Sequence, residues 1–127
     1  MNTLKRFLIE SEDSTYVYRT CILRRNPDSK ALEVQSFYDP SVVTPISIGQ
    51  PLRGKFFAGT KAKFPLAYYV GMTDVEEGET EVLLTLKVPT SVVPHEDSFM
   101  GSEVVVEDPI VVKIENVSDA ENKPEYQ

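Results

Sequence analysis

The sequence predicts an all-β fold, mainly antiparallel, built as a small sandwich or barrel of about seven strands with at most a short N-terminal helix. Three observations carry this. Apolar residues recur at every second position in several short runs, glycine and proline punctuate those runs, and little of the chain has helical spacing. The clearest run is residues 79–88, where Val82, Leu84, Leu86 and Val88 alternate with Glu81, Thr85 and Lys87. Successive side chains point to opposite sides of a strand, so this run presents one apolar and one mostly polar face. Gly78 and Pro89 bracket it. It is expected to be the central antiparallel strand, and Leu83, apolar on the polar side, is expected to meet a second layer or lie at a covered edge.

The other elements follow in chain order. Leu4, Phe7 and Leu8 have the i, i+3, i+4 spacing of a short helix. Residues 16–23 alternate Tyr16, Tyr18, Thr20 and Ile22 with Val17, Arg19, Cys21 and Leu23, a β-branched and aromatic run that favours a strand. Asn26-Pro27-Asp28-Ser29 supplies a turn, and residues 31–38 alternate again, which predicts a hairpin. Residues 39–51 hold Pro40, Pro45 and Pro51, each of which removes a ladder donor, so an extended connection is expected. Val42, Val43, Ile46 and Ile48 are too apolar for a free tether and should lie against the body or a neighbour. Strands are then expected over residues 52–57 and 66–72, with a second long loop over 89–101. A terminal hairpin, residues 103–106 with 110–115, is expected to turn at Asp108-Pro109. The predicted organisation is a single β-rich domain, residues 1–117, and a polar tail, 118–127. Such tails fray unless tied to a partner chain or to their own domain.

Composition sets the class. The 127 residues are 41% hydrophobic and 26% charged, ordinary for a folded soluble domain with a core of its own. The single cysteine, Cys21, has no intramolecular disulfide partner, so packing must supply the stability. No apolar run nears the roughly 20 residues of a membrane span, and the first residues lack the apolar stretch of a secretion signal. The expected setting is therefore cytoplasmic or within a virus particle, with no membrane partner. Residues 1–71 carry a net charge of +4 and residues 72–127 a net charge of −11. This asymmetry suits complementary surfaces meeting between subunits, or else a solvated acidic face. The overall charge of −7 argues against nonspecific DNA binding by the whole chain.

The most site-like stretch is residues 53–64, with four cations, two glycines and three aromatics in twelve positions. Arg53, Lys55, Lys61 and Lys63 interleaved with Phe57 suit phosphate contact and base stacking. The stretch also approximates a phosphate-cradling loop, which needs Gly-x4-Gly-Lys-Ser/Thr at a strand-to-helix junction. Here Gly59-Thr60-Lys61 inverts the last pair and no helix is expected next. The plainer alternative is a strand and turn that bury Phe56 or Phe57 and turn the cations to water. His95-Glu96-Asp97 resembles the beginning of a metal site, but one histidine without a cysteine partner falls short of a zinc set. Cys21, mid-strand, fits a small core hydrophobe better than a nucleophile paired with His95.

With no convergent catalytic set, no cofactor motif and no metal set, the expected function is a noncatalytic structural or interaction protein. It would self-assemble or dock on a larger assembly, such as a virus or phage particle, with a protein partner and no cofactor. The residues expected to serve are Arg53, Lys55, Phe57, Lys61 and Lys63, facing an acidic surface that includes Glu76, Glu77 and Glu79. One alternative is a small β-barrel binding single-stranded nucleic acid or a phosphorylated ligand through residues 53–64. Another is an acidic inhibitor that imitates nucleic acid.

Overall fold

The computed structural model describes residues 14–36, 41–68, 75–92 and 103–126. Seven strands share one mostly antiparallel sheet: β1 (Ser14–Arg25), β2 (Leu32–Gln35), β3 (Val43–Pro45), β4 (Lys55–Gly59), β5 (Thr80–Pro89), β6 (Glu103–Glu107) and β7 (Ile110–Asn116). Two short helices, α1 (Lys63–Tyr68) and α2 (Val117–Ala120), and 3-10 turns at Thr90–Val92 and Pro124–Tyr126 complete it. The all-β expectation holds.

The 79–88 run is indeed central, because β5 pairs β1 over ten residues on one side and β7 on the other. β1 divides its remaining edge: residues 22–25 pair β2, whereas Tyr18 meets Gly59 of β4. The predicted first hairpin forms. Asn26 makes its turn by accepting the backbone N–H groups of Asp28 at 2.9 Å and Ser29 at 3.0 Å on its side-chain oxygen. Residues 49–52, which lead into β4, bond to the start of β7 through Gly49 N–H to Val111 O at 2.7 Å and Leu52 N–H to Pro109 O at 2.7 Å. The path from β4 through β1, β5 and β7 back to residues 49–52 therefore closes into a barrel-like ring.

Inside the ring, Val17 and Cys21 of β1, Val82, Leu84, Leu86 and Val88 of β5, Phe56 and Ala58 of β4, and Val104 and Val106 of β6 form the main core. The split in the edge of β1 is filled by Arg19, 9% exposed on the core side. Its guanidinium donates to Phe57 O at 2.9 Å and Ser36 Oγ at 3.3 Å and lies 5.3 Å from the Phe56 ring centroid. Those bonds stand in for ladder bonds that neither β2 nor β4 supplies at this point.

The outward side of β1 and β5 carries a second layer. Leu83 packs with Ala62 and Ala120, and Tyr18, Leu66 and Tyr126 lie against them. This explains Leu83. The chain after β7 folds back as a strap, residues 117–126, and is tied to its own sheet. Lys123 Nζ and Tyr126 Oη both donate to the Glu115 carboxylate, and Tyr126 meets Tyr18 edge-on with ring centroids 6.0 Å apart.

Four expectations need correction. Residues 63–68 are helical where a strand was expected from 66, because Pro65 falls in the first turn, where its missing N–H does no harm. Ala62 and Leu66, four apart, then face Leu83 together. Residues 69–72 of that expectation lie outside the described residues. The connection at 39–51 contains a short strand, β3, paired to β2. β6 and β7 do not pair with each other. Their junction is a corner at which β6 pairs β4 and β7 pairs β5. Asp108 turns the chain there with φ 45°, and Pro109, which has no N–H, has no donor to give to a ladder between β6 and β7. Finally, β4 begins at Lys55 and runs to Gly59 rather than over 52–57. The expected helix at residues 4–8 lies outside the described residues.

Candidate docking face on β4 and β6

β4 positions most of the expected site. Its burial alternates, so Phe56 and Ala58 enter the core while Lys55 and Phe57 face outward. β6 aligns beside it with Lys55 opposite Glu107, Phe57 opposite Val105 and Gly59 opposite Glu103. Val104 and Val106 go inward, which turns Glu103, Val105 and Glu107 outward. The result is a two-stranded surface with an apolar centre, where Phe57 is 52% and Val105 53% exposed. Lys55 and Glu107 lie at one end of it. Just beyond them, Arg53 lies 3.9 Å from Asp108, both well exposed. The corner is fixed by a reciprocal pair: Gly54 N–H donates to Asp108 Oδ1 at 2.8 Å and Asp108 N–H donates to Gly54 O at 2.9 Å. Gly54 has φ 121°, a conformation that a side chain would strain.

The remaining expected residues stand elsewhere. Lys61 and Lys63 are exposed beyond the far end of β4, which separates them from Lys55 by about 13 Å of strand. They do not join Arg53 and Lys55 in one basic patch. Glu76, Glu77 and Glu79 form the exposed turn before β5, where Glu76 N–H donates to Glu79 Oε1 at 2.9 Å. That turn is near Leu23, the partner of Thr80, and so about 17 Å along β1 from its contact with β4. Within one chain these glutamates face none of the four cations. The acids beside the cations are Glu107 and Asp108, which sequence reading missed because only long-range strand pairing brings them there.

The imitation of a phosphate loop also fails on geometry. A helix does follow Gly59, contrary to expectation, but residues 55–58 between the two glycines are strand, and their backbone serves the ladder with β6. Gly59 has a packing role instead. A Cβ placed there would come within 2.8 Å of Pro65 Cδ, so the glycine lets α1 lie close on the sheet.

Cys21 is 1% exposed, and burial pushes its thiol up to about 12. It is chemically a core residue. His95, Glu96 and Asp97 lie outside the described residues. Among the described residues no three His, Cys, Asp or Glu side chains group where they could hold a metal ion, and no described helix is long and apolar enough to cross a membrane. No family model, curated protein or solved structure matches the chain.

Proposed function

We propose that the chain is a noncatalytic interaction protein, a β module that self-assembles or docks on a larger assembly through the outward face of β4 and β6. A virus or phage particle is one setting that suits such a module. The observation that carries the reading is the exposed cross-strand pair Phe57 and Val105. Two half-exposed apolar side chains side by side on paired strands form a preordered apolar centre, and their charged rim supplies orientation. Strand backbones lose little freedom on docking, which favours a surface of this kind over a loop.

Single-stranded nucleic acid is less well supported. A phosphate drawn to Lys55 meets Glu107 directly across the ladder, and a base stacked on Phe57 lies between the levels of Glu103 and Glu107. Those carboxylates oppose a polyanion.

Native size fractionation of extract from the cells that make the protein tests the reading. The wild-type chain is expected in fractions heavier than a single chain, and Phe57→Glu, at an exposed position, is expected to return it to the single-chain fraction. A wild-type chain that runs alone, unchanged by Phe57→Glu, would overturn it.

A further inference from the structure

We propose that β7 has a free edge on which β7 of a second copy of this chain pairs, antiparallel, about a two-fold axis through Ile114. This edge is separate from the β4 and β6 face, and the inference does not rest on the reading of that face.

The free edge follows from the register. Val111 turns its backbone away from β5: its N–H donates to Gln50 O at 3.0 Å and its C=O accepts from Gly49 N–H at 2.7 Å. On β5, Leu86 stands opposite Val111, Leu84 opposite Ile114 and Val82 opposite Asn116. Backbone groups alternate sides along a strand, so Leu86, Leu84 and Val82 all turn theirs toward β1, and Ile114 and Asn116, like Val111, turn theirs away from β5. The irregularity at Thr85/Leu86 puts the extra residue, Val112, on β7 and leaves the alternation of β5 intact. Residues 49–52 lie along the edge as far as Val111; beyond it, among the described residues, no strand pairs that side of β7. Burial marks the same opening. Val111 is fully buried, whereas Ile114, also on the core side, is only partly buried. Unpaired N–H and C=O groups along a strand edge are a template for another strand.

The limits of this window select the occupant. It runs from Val112 to Asn116, because Gly49 and Gln50 take the edge at Val111 and the chain leaves the sheet at Val117 to begin α2. A long strand would run into one end or the other. β7 of a second copy ends where the window ends. Laid antiparallel about Ile114, it brings its Asn116 beside Val112 and then turns out into its own strap before reaching Gly49. The strap does not obstruct the edge, since it leads over β5 and β1, where Ala120 meets Leu83 and Tyr126 meets Tyr18. The space beside Gly49 is open, for a Cβ there would meet nothing within 4 Å. In this register Ile114 exchanges both backbone bonds with Ile114 of the second copy, and the two side chains cover each other. The neighbouring registers bond Ile114 to Val112, which is out of step at the bulge, or to Asn116, whose C=O is already given to the first turn of α2. Lys113 and Glu115, 3.4 Å apart within each chain, come opposite each other across the axis, so no like charges meet. The contact is short, and the pure chain should dimerise weakly, with a dissociation constant on the order of 100 μM.

Asn116 supplies a selective probe. Its φ of −66° is that of a proline, its exposed side chain makes no cap bond, and its N–H points off the free edge. Asn116→Pro should therefore fold with a urea midpoint no lower than that of the wild type while closing the edge, whereas Asn116→Ala removes the same side chain and keeps the N–H. Sedimentation of the purified full chain from about 10 μM to 1 mM compares them. The wild type and Asn116→Ala are expected to dimerise alike, and Asn116→Pro to lose at least about tenfold in affinity, because symmetry places the ring in the contact twice. Phe57→Glu, on the separate face, is expected to leave this dimer intact. Amide exchange reads the site without any variant: the Ile114 N–H, unbonded in the single chain, should exchange more slowly as concentration rises. A wild type that is monomeric throughout, an Asn116→Pro chain that dimerises like the wild type, or an Ile114 amide indifferent to concentration each overturns the inference. A dimer lost in Phe57→Glu but kept in Asn116→Pro overturns it too, and assigns the second copy to the β4 and β6 face.

Discussion

Leu83 and Phe57 project from the same side of one sheet, yet Leu83 is fully buried and Phe57 is 52% exposed. The difference lies in what the flanking chain does next. After β4, Gly59 lets the chain turn sharply and lay α1 against the sheet, so Ala62 and Leu66 reach Leu83. After β7 the strap returns over the same place and adds Ala120 and Tyr126. Over β1 and β5 the outward apolar residues are thus part of the folding core, while over β4 and β6 they remain at the surface. An apolar side chain on a strand contributes to stability in the first region and to association in the second, although its sequence context looks the same.

The largest expected effect tests the first half of that contrast. Leu83→Ala removes a fully buried side chain between sheet and cover, and should cost about 3 kcal/mol in urea unfolding. Thr20, its neighbour on this side, holds a buried hydroxyl with no hydrogen-bond partner among the described residues, so water entering the new cavity could bond it and soften the loss. A cost under about 1 kcal/mol would mean that α1 and the strap are loosely applied rather than packed.

Much of this arrangement was legible in the residues. The alternation of 79–88 identified the central strand, and Leu83, by breaking it, announced a second layer or a covered edge, of which the structure has the layer. Asn26-Pro27 announced the first hairpin. Two kinds of information were not legible. Adjacent aromatics at Phe56 and Phe57 satisfy alternation either way, and only the pairing of β4 with β6 and the ring contact with Arg19 fix Phe56 inward. The acids beside Lys55 and Arg53 are some fifty residues away in sequence, so local spacing pointed instead to Glu76, Glu77 and Glu79. Of the expected 66–72 strand, residues 66–68 are helical because of a long-range contact. Tyr68 favours a strand, but the packing of Leu66 against the Leu83 cluster outweighs a β preference worth under about 1 kcal/mol.

The strap offers a second, smaller way to separate the two regions, because the groups that tie it to the sheet titrate. Burial pushes the Glu115 carboxyl up, but hydrogen bonds from Lys123 and Tyr126 and the charges of Lys113 and Lys123 outweigh it and hold the group below its usual range. A group lowered on folding stabilises the fold above its unfolded pKa of about 4.3, and that stability is lost as pH falls through the folded value. Tyr126 behaves oppositely. Burial and its hydrogen bond to Glu115 raise its phenol to about 12, so its contribution is complete below about 10 and lost as pH rises through about 12. Amide exchange in residues 117–126 should therefore accelerate towards both extremes, while exchange in β4 and β6 stays tied to global opening. Glu115→Gln keeps the shape but removes the charge, and should weaken the strap by about 1–2 kcal/mol and flatten the acid limb. An unchanged acid limb would mean that another carboxylate holds the strap.

The smallest expected effect on stability falls on the exposed half. Val105→Thr keeps the β-branched shape that suits a strand and changes only a methyl on a side chain already 53% exposed. Its cost in unfolding should lie within about 0.5 kcal/mol, as for other surface substitutions. Association should respond more, since a hydroxyl at the apolar centre must give up its water when the face is covered. A Val105→Thr chain with an unchanged urea midpoint and a weakened tendency to associate would separate the two roles in one residue. A large fall in stability would instead make Val105 part of the core, and the contrast with Leu83 would then be one of degree.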